Sequence, residues 1–171
     1  MEIFTIIFTA IKSLSYRYIF RCVGEGTIVG RGTKVFNFAN VSIGSHCLIQ
    51  DHVYIRAGLQ GSVTAGDYCA INSFAKLFGH GGIEIGDYSQ IGPGTLITTT
   101  VHDYKSSMEA EFKKVTIGKW VWIGASSVIL AGVTIGDKSV IGAGSIVTRD
   151  ISPNCIAVGN PAKVIKKIEE N

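Results

Sequence analysis

The chain has 171 residues, with 16 Lys and Arg against 13 Asp and Glu, a formal net charge of +3. That length predicts a single domain; so small a charge gives no argument for nucleic acid, and no basic and aromatic stripe marks a nucleic-acid surface in the sequence. Glycine is frequent at 21, proline scarce at 3, and 46% of residues are hydrophobic against 17% charged, a composition suited to many tight turns around a large core.

The first segment, 1–21, places Phe4, Ile7, Phe8 and Ile11 at helical spacing, followed by Lys12, Arg17 and Arg21. Its apolar run from Ile3 to Ile11 is far short of the roughly 20 residues that span a bilayer. It reads as a short amphipathic helix capping one end of the fold, with peripheral contact to a membrane as the alternative. The cysteines, Cys22, Cys47, Cys69 and Cys155, form no CxxC pair, and no secretory signal with a cleavage site precedes them. Free thiols in a reducing cytosol are expected, and with them a cytoplasmic protein, with the inner face of the membrane as the alternative location.

From Ile43 onward an apolar residue recurs at every sixth position. The beat is Ile43, Ile49 and Ile55, then Ala65, Ile71 and Leu77, then Ile85, Ile91 and Ile97, and finally Ile117, Ile123, Ile129, Ile135, Ile141 and Val147. Glycine often follows it, and a second apolar residue stands two places before, as at Val41, Ile83, Val115, Val121 and Val133. A period of six is neither helical nor a long alternation. It fits a short strand plus a turn, repeated, with both apolar residues on the inner face. Three such hexapeptides make a triangular coil of about eighteen residues, and coils stack at about 4.8 Å, so Ile117 should lie under Ile135 and Ile123 under Ile141. The expected fold is an all-β parallel β-helix. A β-sandwich would space its strands at 8–12 residues.

Two breaks interrupt the beat. Between Leu59 and Gly82 it falls out of register and ends in Phe78-Gly79-His80-Gly81-Gly82, a glycine turn carrying His80. Between Ile97 and Ile117 lies a polar stretch, about 98–114, which reads as a protruding loop and carries His102. An excursion from a rigid scaffold is a common place for function. His46 and His52 read as surface turn residues. After Asp150-Ile151-Ser152-Pro153 the chain leaves the repeat, and Val164 to Ile168 reads as a strand or short helix bringing lysines to the top of the stack. The expected organisation is one domain, 1–171, with the helical segment at 1–21, coils at 27–160 and a tail at 161–171.

The span from about residue 27 to 168 resembles the hexapeptide-repeat acyltransferases, most of all the galactoside, maltose and nodulation-type sugar O-acetyltransferases. The resemblance is carried by Ile83-Glu84-Ile85-Gly86-Asp87, the threonine-rich strand ending in His102, Val121-Trp122-Ile123-Gly124, Val133-Thr134-Ile135-Gly136-Asp137, Ile141-Gly142-Ala143-Gly144-Ser145-Ile146-Val147-Thr148 and Val158-Gly159-Asn160-Pro161-Ala162-Lys163-Val164-Ile165. It implies a left-handed coil and transfer of an acetyl group from acetyl-coenzyme A, with no metal. His102 matches the catalytic histidine, Asn72 an asparagine lining the reaction centre, and Trp122 a tryptophan walling the cleft. Ala125 and Ala143 match positions against the pantetheine arm, and Thr148, Arg149, Lys163 and Lys166 the region holding the nucleotide end. Where the family tends to have Arg, this chain has Lys163 and Lys166, which keeps the charge and loses the bidentate fork. By the same matching His80 lies on the acceptor side. The resemblance also implies a homotrimer with clefts between subunits, His102 of one chain facing Trp122, Ala125 and Ala143 of the next.

The chemistry suits the residue. A sugar hydroxyl attacks only as its proton is removed, and imidazole is a base that works near neutral pH. The N-terminal segment does not match the sugar-binding start of the galactoside and maltose enzymes, which favours a polysaccharide, O-antigen, capsule or lipid-linked saccharide as acceptor. N-acetylation of an amino sugar or an antibiotic is an alternative, and a non-catalytic scaffold is the rival from another class. A histidine-rich zinc site would need about three converging ligands, and the spacing of the four histidines offers none.

Overall fold

The computed structural model describes residues 20–103, 105 and 108–169. The helix expected at 1–21 falls almost wholly on 1–19, outside the described residues. The rest is a left-handed parallel β-helix, a triangular prism whose three faces are sheets of six, eight and six strands.

The first face stacks Cys22–Val23, Val41–Ile43, Val63–Ala65, Ile83–Ile85, Val115–Ile117 and Thr134–Ile135. The second stacks Ile28–Val29, Leu48–Ile49, Ala70–Ile71, Gln90–Ile91, Trp122–Ile123, Val140–Ile141 and Cys155–Gly159, on which Ala162–Lys167 folds back antiparallel. The third stacks Lys34–Phe36, Tyr54–Ala57, Lys76–Gly79, Leu96–Thr98, Val128–Ile129 and Ile146–Val147. Beat residues such as Ile49, Ile91, Ile97 and Ile123 are fully buried along the axis.

In the upper coils the register is the expected one: Ile117 pairs with Ile135 and Ile123 with Ile141, eighteen residues on. Lower down the eighteen-residue spacing fails. Val35 pairs with Ile55 (20 on), Ile43 with Ala65 (22 on), Ala65 with Ile85 (20 on) and Ile85 with Ile117 (32 on). Within each coil the beats stay six apart, so every added residue leaves at one place, the third corner, between the third face and the first.

The other two corners are held to length by repeated turns. The first carries left-handed residues at His46, Tyr68, Tyr88, Trp120, Lys138 and Asn154, and the second at His52, Phe74, Ser126 and three glycines. A non-glycine side chain in that conformation costs about 1–2 kcal/mol. Ring stacking offsets part of it: His46, Tyr68, Tyr88 and Trp120 form a ladder with centroids 5.0, 4.9 and 4.1 Å apart, and His52 stacks on Phe74 at 5.3 Å. His46 and His52 are turn residues, as the sequence suggested.

All four cysteines are free, and three are buried. Inside the first corner a column of small polar side chains receives backbone N–H groups from the next coil: Cys47 N–H donates to Thr27 Oγ1 at 3.0 Å, Cys69 N–H to Cys47 Sγ at 3.4 Å and Val121 N–H to Ser89 Oγ at 2.9 Å. A hydrogen bond from Cys69 holds the Cys47 thiol below its ordinary pKa; the same bond, with burial, pushes Cys69 up. Among the described residues no helix is long and apolar enough to cross a membrane.

Candidate functional site

The third corner departs furthest from the repeat. Where the sequence suggested a protruding loop, the chain forms a two-stranded hairpin: Thr100–His102 runs antiparallel to Ala110–Phe112, with Thr100 opposite Phe112 and His102 opposite Ala110. Its base is tied to the prism. Lys113 N–H donates to Thr99 O at 2.8 Å, Val115 N–H to Gly82 O at 3.0 Å, and Thr99 Oγ1 both donates to Phe78 O and accepts from Gly81 N–H, each at 2.8 Å.

His102 stands exposed on this hairpin, with Nδ1 3.0 Å from Met108 O. A carbonyl oxygen can only accept, so Nδ1 carries the proton and Nε2 is left as the basic nitrogen. The hairpin therefore fixes both the orientation and the tautomer of the imidazole.

Beside the hairpin lies an open pocket of about 530 Å³ lined by Leu59, Gln60, Gly61, His80, Gly81 and Phe112. Three coils contribute: the insertion that starts at Gly58, the glycine turn at 79–82 and the hairpin's return strand. The His80 ring packs on Phe112 with centroids 5.8 Å apart, and its Nδ1 is buried with no hydrogen-bond partner among the described residues. An unsatisfied buried polar atom costs about 1–3 kcal/mol, a cost that His80 carries at the wall of this pocket.

The coil stack agrees with what comparison with known proteins finds. The model of the hexapeptide repeat of succinyl-transferase matches residues 114–149. A dTDP-4-amino-4,6-dideoxy-D-glucose acyltransferase of Escherichia coli is 30% identical over 159 residues, covering 86% of this chain and 82% of that protein. The chain belongs to the hexapeptide-repeat acyltransferase family.

Other members of the family extend the comparison. A galactoside O-acetyltransferase of Lactococcus lactis is 38% identical over 133 residues, 75% of this chain and 64% of that protein. A putative acetyltransferase of Schizosaccharomyces pombe is 48% identical over 91 residues, 51% of this chain; the match spans less than half, 44%, of that protein. The crystal structure of a point mutant of AntD, an N-acyltransferase from Bacillus cereus, in complex with dTDP-4-amino-4,6-dideoxyglucose and coenzyme A, superposes with a TM-score of 0.84 at 27% identity, covering 93% of this chain and 89% of that one.

The other expected site residues of this family member lie elsewhere on the prism. Asn72, Ala125 and Ala143 are all at the second corner: Asn72 Nδ2 donates to Ile91 O at 2.8 Å, and Gly144 N–H to Ala125 O at 2.8 Å, which seats Ala143 over Ala125. Trp122 projects from the second face, 57% exposed, between Gln90 and Val140. Thr148 and Arg149 are exposed at the end of the last strand of the third face. Lys163 and Lys166 are exposed on the closing strand, opposite Val158 and Ile156. The tip of that final hairpin is pinned near the second corner, because Gly159 N–H donates to Ser145 Oγ at 3.0 Å. Within one chain the structure thus gathers His80 and the hairpin of His102 at the third corner, and Asn72, Ala125 and Ala143 at the second. It does not bring the two sets together.

Sequence reading missed Leu59, Gln60 and Phe112 as pocket residues. The one available signal was the loss of register at 59–82. Among the described residues, no group of three or more His, Cys, Asp or Glu is placed to hold a metal ion.

Proposed function

We propose that the chain transfers an acetyl group from acetyl-coenzyme A to a sugar hydroxyl, with His102 as the general base. The observation that carries this is the Nδ1 contact to Met108 O, which leaves Nε2 as a base on an exposed hairpin beside a pocket. In the reaction the hydroxyl oxygen bonds to the thioester carbonyl carbon as its proton passes to Nε2; the carbon–sulfur bond breaks, and the proton goes on to the departing thiolate. A positioned base of this kind supplies about 10²–10⁴-fold, and holding both substrates in one cleft supplies much of the remainder. The pocket with His80 takes the acceptor.

The second corner suits the coenzyme. Ala125 and Ala143 are small, and a Cβ at Gly144 would meet nothing within 4 Å, so the corner leaves a track for a slender pantetheine arm. Thr148, Arg149, Lys163 and Lys166 would hold its phosphates, Asn72 would line the reaction centre and Trp122 would wall the cleft. Because His102 and this track occupy different corners of one prism, the complete site is formed between neighbouring copies, in a homotrimer closed by cyclic symmetry. The likeness to a galactoside O-acetyltransferase supports a saccharide hydroxyl as acceptor.

A second reading, acetylation of a sugar amino group, is favoured by the dTDP-amino-sugar acyltransferase, whose match covers the larger share of this chain. One experiment tests both: thiol release from acetyl-coenzyme A with a panel of neutral saccharides, polymer fragments, amino sugars and nucleotide-linked sugars, in wild type and His102→Ala. Acceptor-dependent release that falls about 10²–10⁴-fold in the variant is the expected result, and the responding acceptor decides between oxygen and nitrogen. Equal release by both proteins would refute His102 as the base.

A further inference from the structure

The third face changes character halfway up. Its upper strands point Leu96, Thr98, Val128 and Ile146 outward, none charged or aromatic. Its lower strands point Lys34, Phe36, Tyr54, Arg56, Lys76 and Phe78 outward. In register, Lys34 stands beside Tyr54 and Tyr54 beside Lys76, while Phe36 stands beside Arg56 and Arg56 beside Phe78. No strand of this face contains an acidic residue, and among the described residues Lys34, Arg56 and Lys76 make no ion pair.

Arg56 is the centre of this patch. Its guanidinium carbon lies 4.6 Å from the Phe36 ring centre, and Nε donates to Tyr54 Oη at 2.9 Å. The aromatic seat holds the plane of the fork, and among the described residues the bond through Nε leaves both terminal amino groups without a hydrogen-bond partner. A planar, oriented guanidinium with unused donors suits two-point recognition of a phosphate. It also stands next to the acceptor pocket. Phe78, its register partner, is two residues from His80, at most about 7 Å along the chain, and Leu59 follows Arg56 by three residues.

We propose that Arg56, flanked by Lys34 and Lys76, is a phosphate-binding subsite of the acceptor, so that the saccharide modified here carries a phosphate or diphosphate. The assignment rests on the acetyl-transfer reading for its location beside the pocket, and it narrows the acceptor from any saccharide to one joined through phosphate to a nucleoside or to a lipid. Lys34 and Lys76 add long-range attraction, and Arg56 supplies the directed contact. A neutral polymer would leave all three charges unused.

Titration calorimetry on the full chain tests this. Coenzyme A is titrated first and then kept in excess, so that its own phosphate sites are filled. Inorganic pyrophosphate, dTDP and farnesyl diphosphate are then titrated into wild type, Arg56→Gln, Lys76→Gln and, as a control at the first corner, Lys119→Gln. Wild type and the control should bind pyrophosphate alike, Arg56→Gln about tenfold or more weakly, and Lys76→Gln weakly enough to show at low salt and vanish at high salt. Tighter binding of dTDP than of pyrophosphate assigns the phosphate to a nucleotide-linked sugar, and tighter binding of farnesyl diphosphate to a lipid-linked one; equal binding shows that the phosphate alone is read. The proposal is overturned if wild type binds none of the three, or if Arg56→Gln binds them as wild type does. Should Arg56→Gln unfold, Lys76→Gln and its salt dependence carry the test. A chain that fails to bind coenzyme A would sink the acetyl-transfer reading instead, and the same phosphate titration without coenzyme would still report on Arg56.

Discussion

At the first and second corners of the prism each coil turns in the same few residues, around a side chain or glycine in left-handed conformation. At the third corner no two successive connections have the same length. The beats on either side of it are 8, 10, 8, 20, 6 and 4 residues apart, from Val35–Ile43 to Val147–Ile151. The first two corners are bound by stacking. Rings stack from His46 to Trp120 and from His52 to Phe74, and turn N–H groups bond to the neighbouring coils, so an inserted residue would throw every later side chain out of line. The third corner has no such ladder to keep, and it collects the insertion at 58–61, the glycine turn of His80 and the hairpin of His102. The fold keeps two edges regular and takes up its changes of length at the other.

The largest separation between the two regimes should appear on truncating side chains. Ile91→Ala removes a fully buried residue in the regular stack and should cost about 2–5 kcal/mol in denaturant unfolding. His102→Ala, at the irregular corner, should change stability by no more than about 0.5 kcal/mol while abolishing most turnover. Comparable losses of stability in the two variants would break the contrast.

A smaller effect separates two reasons for glycine within a regular corner. A Cβ at Gly124 would meet Ala143 N at 2.5 Å and Ala143 Cα at 2.8 Å, backbone that cannot step aside. Gly124→Ala should cost about 1–3 kcal/mol through overpacking. Gly144 has φ +69 and open space around it, so Gly144→Ala should lose only the roughly 1 kcal/mol of the left-handed conformation. Thermal melts of the two variants compare coil spacing with backbone strain, and a larger loss at Gly144 would make strain the governing factor.

Within the irregular corner, His80→Gln should raise the acceptor KM about two- to tenfold, the scale of one neutral hydrogen bond, with kcat and the melting temperature nearly unchanged. A fall in kcat at unchanged KM would place His80 in the chemical step rather than in acceptor binding.

These contrasts also explain what could be read from the chain alone. The six-residue beat was sufficient for the prism, because one apolar side chain per strand points inward whatever the corners do. His102 stood out because a polar stretch separated two strictly periodic blocks. The register of the lower coils was not accessible. Eighteen-residue spacing fails wherever the third corner takes up extra residues, so nothing in the sequence set Lys34 beside Tyr54 and Lys76, or Phe36 beside Arg56 and Phe78. The basic and aromatic stripe that the sequence lacks exists only after stacking. The hairpin was hidden for a different reason: Thr100–His102 and Ala110–Phe112 are too short and too polar to show an alternating apolar pattern. The pocket was out of reach because Leu59, His80 and Phe112 meet only across three coils.

The smallest effect concerns how the first corner is tied together. Asp87 Oδ2 lies 2.8 Å from Lys119 Nζ, and its Oδ1 accepts from Asp67 N–H at 3.1 Å. The hydrogen bond from Lys119, then that from the Asp67 backbone, holds the Asp87 carboxyl below its ordinary pKa, and Asp87 in turn raises the Lys119 ammonium. A carboxyl depressed in the folded state adds stability that is complete above its unfolded value, about 3.9, and disappears as pH falls through the folded value. A raised ammonium adds stability that is complete below about 10.4 and disappears as pH climbs through its folded value. The pair therefore contributes a plateau across neutral pH that falls away at both ends. Asp87→Asn keeps an oxygen for Asp67 N–H and discards the charge. It should melt slightly below wild type at pH 7, and the gap should close in strong acid and in 1 M salt, as for an exposed ion pair. A gap that persists in acid would mean that the carboxylate matters as a fixed strut between coils. The first corner would then be tied by hydrogen-bond geometry at Asp87, as it is at its buried cysteines and serines, and its charge would be incidental.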